Sequence, residues 1–288
     1  MNAARSLPLL AVLCIGCSST APPAPKPASA VKPSPLAMTR FVSISARVAA
    51  DVQQDLGNPG LLAFTDNGDD ERAEGPSTFD VLPDGGFVIA DPLRQRIAFY
   101  DSTGKFRFDL LIYFGAERLR VLPGNALSIV RAQTGQRYIY GVDSAGHYQP
   151  PRLAKPEDPD RDAEDEGAAR LESPNAATVS ANGQTAPVRV LFEAPGESLV
   201  SIRRLGVDAR GRTYVALSTA APGDRVDVLT VIRKYAGPGE QLAEIADAPS
   251  VALVHPTDEF RMRDGTVYQL QPKGSEVRIN IWDTNARP

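Results

Sequence analysis

Phe87-Val-Ile-Ala-Asp-Pro-Leu-Arg-Gln-Arg-Ile-Ala-Phe-Tyr-Asp-Ser-Thr-Gly104 is the stretch on which the fold turns. Two apolar runs, residues 87–90 and 97–100, flank a polar loop, and an Asp-x-x-Gly turn closes the second. Each run is too short for a stable helix and lacks the alternation of a strand with one wet face. Both are therefore predicted to be strands buried on both faces, which requires sheets packed on either side of them.

The same turn chemistry recurs along the chain. Val81-Leu-Pro-Asp-Gly-Gly-Phe-Val-Ile, Val207-Asp-Ala-Arg-Gly-Arg-Thr-Tyr-Val and Met262-Arg-Asp-Gly-Thr-Val-Tyr place Gly85, Gly211 and Gly265 between short strands, where a hairpin requires positive φ. A second turn follows in Tyr100-Asp-Ser-Thr-Gly-Lys105, Val142-Asp-Ser-Ala-Gly-His147 and Tyr235-Ala-Gly-Pro-Gly-Glu240. Two hairpins per unit make a four-stranded blade. Gly85 to Gly211 is 211 − 85 = 126 residues, three units of 42, and Asp101 to Asp143 is 143 − 101 = 42. Propeller blades repeat at about 40–45 residues.

The fold expected is an all-β propeller of five or six blades over residues 41–288, with strands at 41–48, 77–82, 87–90, 97–100, 106–112, 127–130, 138–142, 188–192, 212–217, 226–235, 266–270 and 277–282. A β-sandwich with extra hairpins is the competing architecture.

Residues 87–104 resemble an NHL-type propeller repeat: Asp91, Arg96, Ile97, Asp101 and Gly104 occupy the family's places, while Arg94 and Gln95 stand where its loop asparagines would be. The resemblance is good over this one blade and looser at Gln136-Arg137-Tyr138-Ile139, and it implies a six-bladed propeller. Asp91 and Arg96 are read as a structural ion pair between strands of one blade, where guanidinium geometry satisfies a partly buried carboxylate.

Before the β-rich region lies a different kind of sequence. Arg5 and the apolar residues 7–16 have the charge and length of a signal peptide, assigned to residues 1–16. Leu13-Cys14-Ile15-Gly16-Cys17 resembles a bacterial lipobox, with Cys14 where the family usually has leucine, and the resemblance implies lipidation of Cys17. Cys14 and Cys17 are the only cysteines, so the folded part holds no disulfide. Residues 17–40 are expected to form a disordered, proline- and alanine-rich tether. By the same resemblance, Ser18 after the lipidated residue suggests the outer membrane, facing the periplasm. An ordinary secretory leader with incidental cysteines, or a cytosolic chain with an apolar start, is the alternative.

Composition narrows the function. The formal net charge is −4 and the pI about 5.4, which disfavours polyanions. Arg203, Arg204, Arg210 and Arg212 are interrupted by Asp208 and are read as solvated strand ends rather than a nucleic-acid patch. The acidic run 155–167 sets Asp158, Asp160 and Asp162 at calcium-loop spacing, but Ala163 and Ala169 replace the loop's glycine and closing glutamate, so a solvated loop is expected. His147 and His255, the only histidines, read as turn or strand-end residues.

No serine-nucleophile elbow or zinc helix is present in the sequence, and no catalytic residue, metal ligand or cofactor is assigned. The function expected is a membrane-tethered binding or scaffold propeller with a protein partner and no nucleic acid. The alternative is a metal-dependent, lactonase-like hydrolase, by analogy with the six-bladed gluconolactonase group, which would need Asp80, Asp91, Asp208, Asp258 or Glu259 to converge.

Overall fold

The computed structural model describes residues 34–48, 58–65, 74–159, 169–180, 187–191, 197–220, 228–237, 240–245, 258–273 and 275–285. The leader, Cys17, the tether up to residue 33, residues 160–167 and His255 lie outside the described residues.

Three strands precede the first sheet: β1 (Ser34–Pro35), β2 (Arg40–Val48) and β3 (Leu62–Phe64). Blade I comprises β4 (Phe79–Val81), β5 (Phe87–Asp91), β6 (Arg96–Tyr100) and β7 (Phe106–Leu111). Blade II comprises β8 (Ala116–Val121), β9 (Leu127–Arg131), β10 (Arg137–Tyr140) and β11 (Arg152–Leu153). Blade III holds β12 (Ala169–Ser173), β13 (Ala176–Val179) and β14 (Val188–Leu191). Blade IV holds β15 (Ser198–Val207), β16 (Thr213–Ala220), β17 (Val228–Gly237) and β18 (Glu240–Ile245). Blade V begins with β19 (Phe260–Arg263), β20 (Thr266–Lys273) and β21 (Glu276–Asp283).

Each blade is an antiparallel meander, and the five found among the described residues together make a β-propeller. The first strands lie against one another, β4 beside β8, β12 beside β15, β15 beside β19 and β19 beside β4, so they line the axis. Blade V is completed from the other end of the chain: β2 pairs antiparallel with β21, from Arg40 opposite Ile281 to Ser45 opposite Glu276. The segment predicted as tether includes the strand β1. There β1 runs parallel to β18, and Leu36 N–H donates to the Glu244 carbonyl at 2.9 Å.

The core lies between blades. Ile44, Phe79, Phe87 and Ile279 join blades V and I, and Val88, Phe99, Leu119 and Ile129 join I and II. Val179, Val188, Val215 and Leu217 join III and IV, and Tyr214, Ile232, Val267 and Trp282 join IV and V. Both β5 and β6 are buried at every residue, the second and third strands of their blade having a neighbouring blade on each face. Each of the large apolar side chains there, such as Val88, Ile89 and Phe99, contributes about 1.5–3 kcal/mol by burial.

The repeat has a local cause. In the turns after β6, β10 and β15 one aspartate oxygen caps two backbone amides. Asp101 Oδ1 accepts from Thr103 and Lys105 at 2.8 and 3.0 Å, Asp143 Oδ1 from Ala145 and His147 at 2.9 Å each, and Asp208 Oδ1 from Arg210 and Arg212 at 2.9 and 3.0 Å. Side-chain capping of this kind fixes a tight turn without a partner from elsewhere. Gly85, Gly104, Gly211 and Gly265 all have positive φ, at 81°, 86°, 74° and 79°. Gly104 faces a further constraint, because a Cβ there would lie 2.8 Å from Val42 Cγ1 and 2.9 Å from the Ser43 carbonyl oxygen. The turn of blade I packs directly on the closing strand β2.

Candidate functional site

Inner strands present one face to the axis instead of to a neighbouring blade, so that face is where a propeller tolerates charge. Asp258, just before β19, forms a parallel bridge with Thr78, just before β4. Its side chain is 3% exposed and takes guanidiniums from three blades. Arg120 of β8 approaches Oδ2 with Nη1 at 2.7 Å, Arg203 of β15 donates to Oδ1, and Arg261 of β19 donates to Oδ2. Arg203 and Arg261 also donate to the Phe260 carbonyl, at 3.2 and 2.7 Å.

Asp80 of β4 sits on the far side of Arg261, with Oδ1 3.9 Å from Nε. Its oxygens accept the Val81 and Val121 amides at 2.8 and 2.6 Å, which ties blade I to blade II. The buried Arg261 Nε has no hydrogen-bond partner, while the guanidinium lies 5.5 Å over the Phe79 ring.

Burial opposes ionisation of Asp258, but Arg261, Arg203 and Arg120 outweigh it and hold the carboxyl well below the usual range. Desolvation, then repulsion from Arg120, lowers the pKa of Arg261, which as a guanidinium remains a cation. The cluster is thus three cations around an ionised carboxylate, with exposure rising from Asp258 and Arg261 toward Arg120 and Arg203.

Asp80 and Asp258 reach the axis. Asp91 lies in blade I against Arg96, Asp208 caps its own turn and pairs with Arg212 Nε at 2.6 Å, and the Glu259 carboxylate accepts from Gln269 in blade V. Among the described residues no group of three or more His, Cys, Asp or Glu side chains could hold a metal ion. Asp158 pairs with both guanidinium nitrogens of Arg152, at 2.7 and 2.6 Å, so the described start of the acidic run is tied down.

Of the four arginines read as solvated strand ends, three have partners in the fold instead. Arg204 is buried and donates to the Ser180 carbonyl at 3.1 Å, Arg203 reaches Asp258, and Arg212 pairs with Asp208 and Asn285. Only Arg210 is exposed. They sit on β15 and the turn after it, where the strand faces the axis at one end and a neighbouring blade at the other. A pattern search for apolar strands passes over such a segment.

A concavity of about 260 Å³ opens between blades I and II. Phe99 and Phe108 stack there at 4.3 Å, Tyr148 tilts against Phe99 at 5.3 Å, and the Arg107–Asp84 pair at 2.6 Å forms the lip.

No family model matches this sequence, and none of the curated proteins compared with it does. Among solved structures the chain is similar to BamB from Moraxella catarrhalis, at 10% identity and a TM-score of 0.32, covering 86% of this chain and 99% of that one. It is also similar to BBS1N in complex with ARL6DN, at 9% identity and a TM-score of 0.25, covering 71% of this chain and 64% of that one.

Proposed function

We propose that the chain is a binding or scaffold propeller of the cell envelope, anchored by lipid on Cys17 to the outer membrane and facing the periplasm. The observation that carries the binding reading is the axis. A hydrolytic metal centre of the lactonase kind needs carboxylate and amide oxygens turned toward one empty point, whereas Asp80 and Asp258 are each turned toward N–H donors. What the axis offers is a charged, hydrogen-bonding surface, the equipment of recognition. The lipobox-like residues 13–17 and the NHL-like residues 87–104 support the envelope placement and the repeat type.

Two experiments test this. Metabolic labelling with a clickable fatty acid, followed by a carbonate wash, should label wild type and Cys14→Ser but not Cys17→Ser. A soluble, unlabelled wild type would remove the anchor from the reading. Crosslinking in the native cell should trap one stable protein at reproducible stoichiometry, and turnover of a lactone by the purified protein would replace scaffold with enzyme.

A further inference from the structure

We propose that the axial cluster around Asp258 is a binding site for the carboxylate of an acidic polypeptide segment; this rests on the binding reading above and names its ligand chemistry. Three guanidiniums surround Asp258; Asp80 is engaged by two backbone amides and stands 3.9 Å from Arg261, and Glu259, whose carboxylate accepts from Gln269, also feels the Arg203 charge. Asp258 is thus one carboxylate shared by three guanidiniums.

The cluster has a direction. Side-chain exposure is 3% at Asp258 and 8% at Arg261, but 15% at Arg120 and 33% at Arg203, so the anion and Arg261 are at the bottom and two cations are at the mouth. Deeper in, Arg261 Nε is a buried donor without an acceptor. The segregation extends beyond the cluster. The five first strands carry seven arginines, at 118, 120, 170, 203, 204, 261 and 263, against three acids, Asp80, Glu117 and Glu172, in a chain whose net charge is −4. An acidic protein that concentrates arginine on its inner strands attracts anions toward them and repels them elsewhere.

Carboxylate is the anion that the geometry favours, because the same guanidiniums already hold one. Planar N–H pairs match two carboxylate oxygens, and Arg203, which uses both Nη atoms on Asp258 and Phe260 while remaining one-third exposed, marks where a second carboxylate enters. Asp258 acts as a built-in competitor that keeps the arginines preorganised and partly neutralised.

Fluorescein-labelled tetraglutamate, titrated into the full chain at low ionic strength and followed by anisotropy, should bind where tetraglutamine does not. Arg203→Gln should weaken it about tenfold to a hundredfold, the cost of a charge-assisted hydrogen bond. Lys105→Gln, which removes an equal charge from an exposed turn, should leave it unchanged. Asp258→Asn should tighten binding, whereas a cluster that is only inter-blade glue predicts no gain.

Tetraglutamate binding equally to wild type and to folded Arg203→Gln would overturn the proposal, and that comparison decides it if Asp258→Asn does not fold. Displacement by inorganic phosphate at lower concentrations than by free glutamate would overturn the carboxylate assignment. If the site fails while the partner crosslinked in cells persists, the axial proposal falls and the scaffold reading stands.

Discussion

Arg96 Nε donates to Asp91 Oδ2 at 3.1 Å across the β5–β6 hairpin, with the two side chains only 4% and 0% exposed. Arg96 continues outward to Asp109 at 2.9 Å and to the carbonyls of Pro59 and Leu61. Its partner is less well served, because Asp91 Oδ1 is buried with no hydrogen bond. Burial thus outweighs the Arg96 guanidinium and pushes the Asp91 carboxyl up to about 6.

This shift sets a pH dependence. The unfolded carboxyl titrates near 3.8 and the folded one near 6, so between those values the folded state holds a proton that the unfolded state has lost. Stability from this group is present below the unfolded pKa and falls as pH rises through the folded one, by about 3 kcal/mol in all. Asp91→Asn should flatten that slope. Urea unfolding at pH values on either side of the window measures it, and an unaltered slope would show that Asp91 titrates normally.

Arg96→Met should be far more damaging than Arg107→Met. The first leaves Asp91 buried without its cation, a loss of about 3–5 kcal/mol. The second breaks the Arg107–Asp84 pair, whose side chains are 37% and 53% exposed, and should cost less than about 1 kcal/mol. Chemical denaturation of both variants checks the ranking; equal losses would mean that the buried pair is no more important than the surface one.

Much of the architecture was legible before any coordinates. Gly85 and Gly211 fall in corresponding turns of blades I and IV, and Asp101 and Asp143 in those of blades I and II, so the spacings of 126 and 42 count real blades. Turns announce themselves because their chemistry is local: one aspartate caps two amides and one glycine supplies the positive φ. Four of the five inner strands do not, β4 being the exception. β8, β12, β15 and β19 escaped notice because Arg118, Arg120, Arg170, Arg203 and Arg261 break the apolar pattern. Those charges are stable only because other blades bring partners to the axis, and that information is spread over more than a hundred residues. Asp80 and Asp258 were candidates for convergence, but their arginine partners were hidden for the same reason, and so was the closing pairing of β2 with β21.

Gly104→Ala and Gly124→Ala separate backbone strain from crowding. Both glycines have positive φ, 86° and 73°, so each alanine incurs about 1–2 kcal/mol of conformational strain. At Gly124 nothing lies within 4 Å of the added methyl, whereas at Gly104 it meets Val42 and the Ser43 carbonyl below 3.0 Å. Thermal melts should therefore show a clearly larger fall in Tm for Gly104→Ala. A matching fall would place the turn of blade I away from β2.

The last prediction concerns how the ring is closed. Along β2 the burial alternates, with Val42, Ile44 and Ala46 inside and Ser43 and Ser45 outside, so one face enters the core between blades V and I while the backbone completes blade V. Ile44→Ala should cost about 2–5 kcal/mol, the usual range for truncating a buried isoleucine, and Ser45→Ala should be nearly neutral. A chain starting at residue 49 removes the whole strand, leaving β21 with a row of unpaired amides and carbonyls at a hydrophobic edge. Such an edge recruits another strand or aggregates. Size-exclusion chromatography should show it as oligomer or aggregate, while a chain starting at Ser34, which keeps β1 and β2, should elute as the intact domain. Adding a synthetic peptide of residues 40–48 to the shorter chain during refolding should recover the monomer, since β2 contributes a strand and a core face. A shorter chain that is monomeric and as stable as the longer one without the peptide would show that blade V closes without β2.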